Sequence, residues 1–568
     1  MKKFLGVIVT VAYLLSHTSI SLAQGTSVKE LPRGWHMMDM EKDGFYGISI
    51  DKAYDFLKGK KSTTVIVAVI DSGIDTLHED LQDILWTNPK EIPGNGIDDD
   101  KNGYIDDVHG WNFIGGKDGR NVKNDSDEGS RVYHKFKKMF GGKVIDTTTL
   151  NTEEKEQYRT WLKSKFKIEG DAAEGGSIDM MIMQQMMETI IKGDSILRKS
   201  LGTETYTGKE LDKFAPISKE EQKAKGAIIY ILKTTNMMEA TNKEVISELT
   251  EAVTAEQKKK EALNKEPENT RAEIVKDDET NFNDRFYGNN DIMAGTPLHG
   301  THVSGIIAAK RNNGKGMDGI ADNVRIMMIR AVPDGDEHDK DIALAIRYAV
   351  DNGAKVINMS FGKGFSPQKN WVDSAVMYAD SKGVLLVCAA GNDATNIDTT
   401  ESFPNPSLRV SKTRATNWIT VGASSDLLAE PMFKSYIASF SNYGKKEVNV
   451  FSPGTKIYST LPGGNVYGNL QGTSMASPVV AGVAALVLSY YPGLSPEQVK
   501  YVIEKSATPV PSKVKVPGSD EVTLLSDIST SGGILNAYGA VKLAATLKPE
   551  INNQKKLPKS ALKNKKGS

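Results

Sequence analysis

The chain has 568 residues, too many for one compact core, so two to four domains or one large domain with insertions are expected. Apolar residues make up 39% and charged residues 25%, the proportions of a soluble globular protein, and the net charge of −1 gives no basic field for nucleic acid. With one cysteine, Cys388, no intrachain disulfide can form, and stability has to come from core size and any bound metal.

Lys2 and Lys3 precede an apolar stretch over residues 4–15, and Ser21-Leu22-Ala23 forms a small-x-small cleavage signal. This pattern predicts a secretory signal peptide over 1–23, too short in its apolar run to span a bilayer, and a mature chain beginning at Gln24. The expected location is therefore secreted or periplasmic, with no transmembrane segment in the mature chain; the alternative is an uncut membrane anchor. Residues 24–60 form an N-terminal segment. Residues 62–71 are a continuous β-branched run, as in a strand buried on both faces of a parallel sheet. Asp71 ends that run, at the carboxyl edge where α/β proteins bind ligands. Taken alone, an Asp capping the next turn explains it better.

Further along the first part of the α/β domain (61–116), Asp98, Asp100, Asn102, Tyr104, Asp106 and Asp107 place oxygen donors around Gly103. Such a loop suits Ca2+, which takes several hard oxygens. It departs from the EF-hand pattern at the last ligand, where His109 stands instead of Glu. A solvated acidic turn is the competing reading.

Residues 117–290 lack β-branched runs and are rich in Lys, Glu, Met and Gln. Met180, Met183, Met187 and Ile190, and then Val245, Leu249 and Val253, fall at helical spacing, which predicts the inner face of a helical insertion. A methionine-rich partner surface is the alternative. Gly170–Ser177 is expected to be a flexible joint, and Glu256–Asp278 a solvated helix or loop.

The second part of the domain spans 291–546. It opens on His299-Gly-Thr-His302 before a small-residue helix. Two histidines three apart suit a metal as well as a general base, although no H-E-x-x-H pattern supplies a third ligand. Strands are predicted at Val324–Ile329, Lys355–Met359, Val384–Ala389 and Trp418–Val421, with helices at Asp341–Asn352 and Trp371–Lys382 among them. The alternation predicts an α/β fold with a mainly parallel β-sheet flanked by helices. Cys388 lies in one of these strands, without a neighbouring cation, and is expected to be a core residue. Gly472-Thr-Ser474-Met-Ala-Ser-Pro478 opens an apolar helix. A helix start offers unpaired N–H groups and a positive dipole end for a developing oxyanion. Pro478 has no N–H for the carbonyl of Ser474. The lysine-rich stretch 547–568 is read as a solvated tail, with attachment to an anionic surface as the alternative.

Together the segments around Asp71, His299 and Ser474 resemble the subtilisin-like serine peptidase (subtilase) family, over about residues 60–116 and 290–545. Ser439-Phe-Ser-Asn-Tyr-Gly444, Phe451-Ser-Pro-Gly454 and Ser531-Gly-Gly-Ile-Leu-Asn-Ala-Tyr538 add to the resemblance. It implies a secreted serine endopeptidase, interrupted here by a helical insertion between the residues that match its catalytic Asp and His. His299 would act as general base, Asp71 would orient it, and Ser474 would be the nucleophile. Ala389-Ala390-Gly391-Asn392 resembles the segment whose Asn donates to the oxyanion, with the Ser474 N–H as second donor. Ser360-Phe361-Gly362 resembles the edge that pairs with an extended peptide, Ala389-Ala390-Gly391 the facing wall, and Ser402 the floor of the first specificity pocket. Asp398 or Glu401 would favour a basic side chain there, without fixing it.

The implied partner is a protein or peptide substrate; oligomeric state is left open. Two features depart from the family. The stretch between Gln24 and Asp71 leaves no room for a full inhibitory prodomain, and the long insertion is expected to narrow the cleft. Two competing functions share the scaffold: a catalytically idle binder of peptides, and an esterase using the same triad.

Overall fold

The computed structural model describes residues 31–550, apart from 175–176, scattered positions between 235 and 260, residue 296 and residues 431–432. The expected signal peptide and most of the basic tail lie outside the described residues. Two compact units divide the chain. Among the described residues, one comprises 31–125 and 269–550, the other 126–268.

The larger unit is built on one nine-stranded sheet. Its strands are β1 (Val65–Asp71), β2 (Gly110–Asn112), β3 (Val324–Arg330), β4 (Val356–Met359), β5 (Leu385–Ala389), β6 (Trp418–Ser424), β7 (Val450–Pro453), β8 (Thr508–Pro509) and β9 (Gly533–Ile534). Their order is β8-β9-β7-β6-β5-β4-β1-β3-β2, and every pair is parallel except β8 with β9. The β-branched runs are strands for the expected reason. Alternate residues feed opposite layers: Val65, Val67 and Val69 enter one core cluster, Ala68 and Ile70 the other.

The first layer holds helices α1 (Ile50–Leu57), α2 (Leu298–Ala308), α5 (Thr473–Tyr490), α6 (Pro496–Ser506) and α7 (Ala537–Ala544); the second holds α3 (Asp339–Asp351) and α4 (Lys369–Ser381). Helix α5 is apolar all round and lies under the sheet, against β4, β5, β6 and β7. Among the described residues it alone is long and apolar enough to cross a membrane, but 83% of it is buried inside the protein. Helix α1 packs on α7, and Trp35, Ile48, Ile50 and Leu57 are core residues. The described part of the N-terminal segment is thus integral to this unit. Cys388 is buried, and burial pushes its thiol pKa up, as suits a core residue.

In the smaller unit, long helices cover Glu128–Phe140, Thr152–Glu174, Ser177–Leu201 and Lys219–Thr234. Ile190 and Val245 are buried, in keeping with an inner helical face. Within the expected joint, residues 170–174 end the helix Thr152–Glu174 and Ser177 opens the next, while residues 175–176 lie outside the described residues. The insertion is also shorter than the composition suggests. Residues 117–125 and 269–290 belong to the larger unit, tied in by polar contacts: Asn112 and Asn289 amides both donate to Asn121 Oδ1, and the Asp125 N–H donates to Asp334 O.

Candidate active site

The order of strands reverses at β1, which lies between β3 and β4. In open α/β sheets the crevice at such a reversal, at the carboxyl ends, is where ligands bind. Asp71 is the last residue of β1, Ser360 follows β4, and Asn392 lies just beyond β5. Helices α2 and α5, which carry His299 and Ser474 in their first turns, pack against each other in the layer below.

Asp71 is 2% exposed, and its carboxylate takes the Ser72 N–H at 2.7 Å. His299 Nδ1 lies 2.8 and 3.0 Å from the two Asp71 oxygens. This closeness depends on Gly300. A Cβ there would stand 2.1 Å from Gly73 O and 3.2 Å from the Asp71 side chain, so any larger residue would push α2 away from the turn. Facing a carboxylate, Nδ1 must carry the proton, which leaves Nε2 free to accept one. Burial pulls the His299 pKa down, but the charge and hydrogen bond of Asp71 outweigh it, and the net shift is upward from 6.5.

Ser474 is half-buried in the first turn of α5, after Gly472, whose φ of +149° belongs to glycine's range. Its Oγ donates to Ser360 O at 3.0 Å, and Ser360 Oγ donates to Ser474 O at 2.8 Å. Asn392 Oδ1 accepts the Thr473 N–H and the Thr473 hydroxyl, each at 2.9 Å. Those bonds turn the Asn392 amide so that Nδ2 faces the Gly472–Ser474 turn, 3.4 Å from where a Gly472 Cβ would sit. Gly472 therefore keeps this space open beside the Ser474 N–H. Thr473, which the sequence reading passed over, is the residue that orients Asn392.

The two histidines of the metal alternative have separate partners. His302 Nε2 lies 3.2 Å from Gly468 O, and burial lowers the His302 pKa to about 3. His36, missed in the sequence because nothing near it suggests chemistry, is also buried, with no hydrogen-bond partner on either ring nitrogen. Burial lowers its pKa to about 4.

The edge expected to pair with substrate is joined, just past Gly362, to the segment of the expected pocket floor, just past Ser402: Lys363 N donates to Phe403 O at 2.8 Å and Phe403 N to Lys363 O at 2.9 Å. Gly362 is exposed and Phe361 half-buried. Ala389, Ala390 and Ser402 line a cavity of about 530 Å³; Ser360, Phe361 and Gly362 are outside its lining. Asp398 and Glu401 line it, but so do Lys369, Arg409, Lys412 and Arg414, so no single charge sign dominates.

The acidic loop divides by role. Carboxylate oxygens of Glu91, Asp98 and Asp100 converge within 4.8 Å of one another. Glu91 is 7% exposed; its Oε1 takes the N–H groups of Asp99 and Asp100, while its buried Oε2 has no hydrogen-bond partner. A buried carboxylate oxygen without a partner, on a residue whose carboxylate clusters with two others, fits a hard divalent cation. Asp106 accepts the N–H groups of Gly94, Asn95 and Gly96. Asp107 is buried and bonded to Tyr348, Asn88 and Asn102; burial raises its pKa to about 6. The Tyr104 ring packs among Trp111, Phe113 and Tyr348. These side chains hold the loop, and Glu91, outside the motif's spacing, joins the cluster instead.

The chain belongs to the subtilase family, whose sequence model matches residues 62–541. It is 42% identical over 210 residues to a thermophilic serine proteinase of Bacillus sp. (strain AK1), covering 37% of this chain and 46% of that protein. Subtilisin DY of Bacillus licheniformis is 40% identical over 214 residues, covering 37% and 70%. The extracellular protease of Xanthomonas campestris pv. campestris is 36% identical over 248 residues, covering 40% of each chain. The matched stretch thus spans less than half of two of these relatives. Among solved structures, the prenylagaramide maturation protease PagA aligns over 44% of this chain and 82% of its own, at 30% identity and a TM-score of 0.35.

Proposed function

We propose that this chain is a serine endopeptidase that cleaves peptide bonds through an acyl-enzyme on Ser474. The observation that carries the reading is the buried Asp71 carboxylate bonded to His299 Nδ1, with Ser474 at the start of the helix packed against that of His299.

A serine hydroxyl is a weak nucleophile at neutral pH and needs a base. His299 Nε2 takes the Ser474 proton as Oγ attacks the carbonyl, then gives it to the leaving amine. Asp71 fixes the tautomer and stabilises the imidazolium. The oxyanion forms between Asn392 Nδ2 and the Ser474 N–H, donors already oriented before reaction. Water then repeats the sequence on the ester. The substrate chain adds to the edge at Ser360–Gly362, opposite Ala389–Gly391, with its side chain toward Ser402. Charges of both signs around the cavity give no support to a preference for basic side chains.

Glu91, Asp98 and Asp100, with Asn102 bonded to the two aspartates, would hold Ca2+. Its contribution would be structural, neutralising the clustered carboxylates of the loop. Secretion is supported by the signal over 1–23 and by the name of the Xanthomonas relative.

The test is hydrolysis of an unfolded protein and of an ester substrate. Ser474→Ala should abolish both, and Asn392→Ala should lower kcat by about 10² to 10³, a magnitude carried over from subtilisin itself rather than worked from this structure. A loss below about fivefold with the fold intact would contradict the oxyanion assignment. Cleavage of the ester but not of protein would favour the esterase.

A further inference from the structure

In a regular helix the carbonyl of Ser474 would accept the N–H of residue 478, but residue 478 is proline. The missing donor comes from the sheet. Ser360, just after β4, donates its hydroxyl to Ser474 O at 2.8 Å. The polarity of that bond is set by a chain of neighbours. Ser477 Oγ donates to Asn358 Oδ1 at 2.9 Å, and Asn358 Nδ2 donates to Ser360 Oγ at 2.9 Å. With its oxygen occupied by the Asn358 amide, the Ser360 hydroxyl hydrogen is directed to Ser474 O. All three side chains are buried: Asn358 and Ser477 are 0% exposed and Ser360 3%. The circuit leaves α5 at Ser477, crosses β4 and returns to α5 at Ser474, with each donor pointing the same way.

We propose that Ser360 is a positioning residue for the nucleophile, its hydroxyl replacing the N–H that Pro478 lacks. The peptide between Gly472 and Thr473, one residue before the nucleophile, is held by Asn392 through the Thr473 N–H. Ser360 holds the peptide on the carboxyl side. Held one residue before Ser474 and directly after it, the backbone fixes the direction of the Ser474 Cα–Cβ bond and the aim of its N–H at the oxyanion. Because Ser360 also lies on the edge expected to pair with substrate, the nucleophile is registered to the strand that holds the peptide rather than to its own helix. The inference rests on Ser474 being the nucleophile.

A double-mutant cycle tests it. Wild type, Ser360→Ala, Pro478→Ala and the double variant are assayed on one peptide, with active sites counted by a fluorophosphonate and folding checked by thermal unfolding. Ser360→Ala alone leaves the carbonyl without its donor and should lower kcat about tenfold, with KM within about twofold. In the Pro478→Ala background residue 478 regains an N–H, and the same change should lower kcat less than about threefold. Equal losses in both backgrounds, or a rise in KM alone, would overturn the proposal. Should Ser360→Ala not fold, Ser477→Ala removes the outermost donor from a buried position away from the substrate edge. It should lower kcat about threefold at constant KM, and an unchanged kcat would overturn the proposal equally. Failure of the wild type to label at Ser474 would instead count against the serine-peptidase reading.

Discussion

Acidification should unfold the larger unit through two buried histidines, His36 and His302. Both are neutral in the fold, because burial lowers their pKa values from 6.5 to about 4 and about 3. In the unfolded chain each binds a proton below pH 6.5, whereas in the folded protein neither does until the pH approaches the lowered value. The unfolded state therefore holds more protons between pH 6.5 and about 4, and stability falls as pH falls through that window. Each contributes about 1.4 kcal/mol per pH unit at full slope, so from neutral pH to pH 4.5 the pair removes about 5 kcal/mol, a large part of an ordinary folding free energy. His36→Phe isolates one of them, since neither ring nitrogen has a partner to lose. Guanidinium unfolding of the Ser474→Ala protein, with and without His36→Phe, can be followed by tryptophan emission. Five of the six tryptophans lie outside residues 126–268, so emission reports mainly on this unit. The stability lost by pH 4.5 should shrink by about 2.5 kcal/mol in the variant. Carboxylates titrate in the same range but are common to both proteins. Equal losses with and without His36 would refute the reasoning.

Arg330 ends β3 beside Asp71 and is 1% exposed; its guanidinium donates to Ser72 O, Ala294 O, Val122 O and Asn112 Oδ1. Arg330→Met orphans acceptors in the segments leading from Asp71 and toward His299, and should destabilise by about 3 kcal/mol, with kcat falling too; a melting temperature unchanged by the substitution would contradict this. Chelation with EDTA should lower the melting temperature, and Glu91→Gln or Asp100→Ala should remove that sensitivity; no response of the wild type to EDTA would sink the cation site. Replacing residues 126–268 by a short Gly-Ser linker should raise cleavage of folded proteins relative to a short peptide. An unchanged ratio would count against an insertion that restricts access.

The long parallel strands were legible because a strand buried on both faces has to be apolar at every position, as in Val65–Ile70 and Leu385–Cys388. Short elements were not. Gly110–Asn112 and Gly533–Ile534 are too brief to show a period, and they owe their strand character to β3 and β7 beside them. The proposed site residues Asp71, His299, Ser474 and Asn392 stand out in the sequence because each lies in a distinctive local segment. The residues that support them were not, since Thr473, Arg330 and Glu91 act through partners distant in sequence or through one unpaired oxygen. The insertion boundary was misplaced because 117–125 and 269–290 are as polar as the insertion itself. Their polarity serves buried networks, such as Arg271 with Asp341 and Asp277, rather than solvent.

The central claim is that Ser474 is a nucleophile activated by the Asp71–His299 pair. Reaction with a fluorophosphonate, followed by mass mapping of the labelled peptide across pH, tests it most directly. The account predicts one covalent adduct, on Ser474, absent in Ser474→Ala. Its rate should fall as His299 becomes protonated, with a midpoint above the ordinary histidine value of 6.5. A folded protein that takes up no label, or one labelled at another residue, would contradict the account.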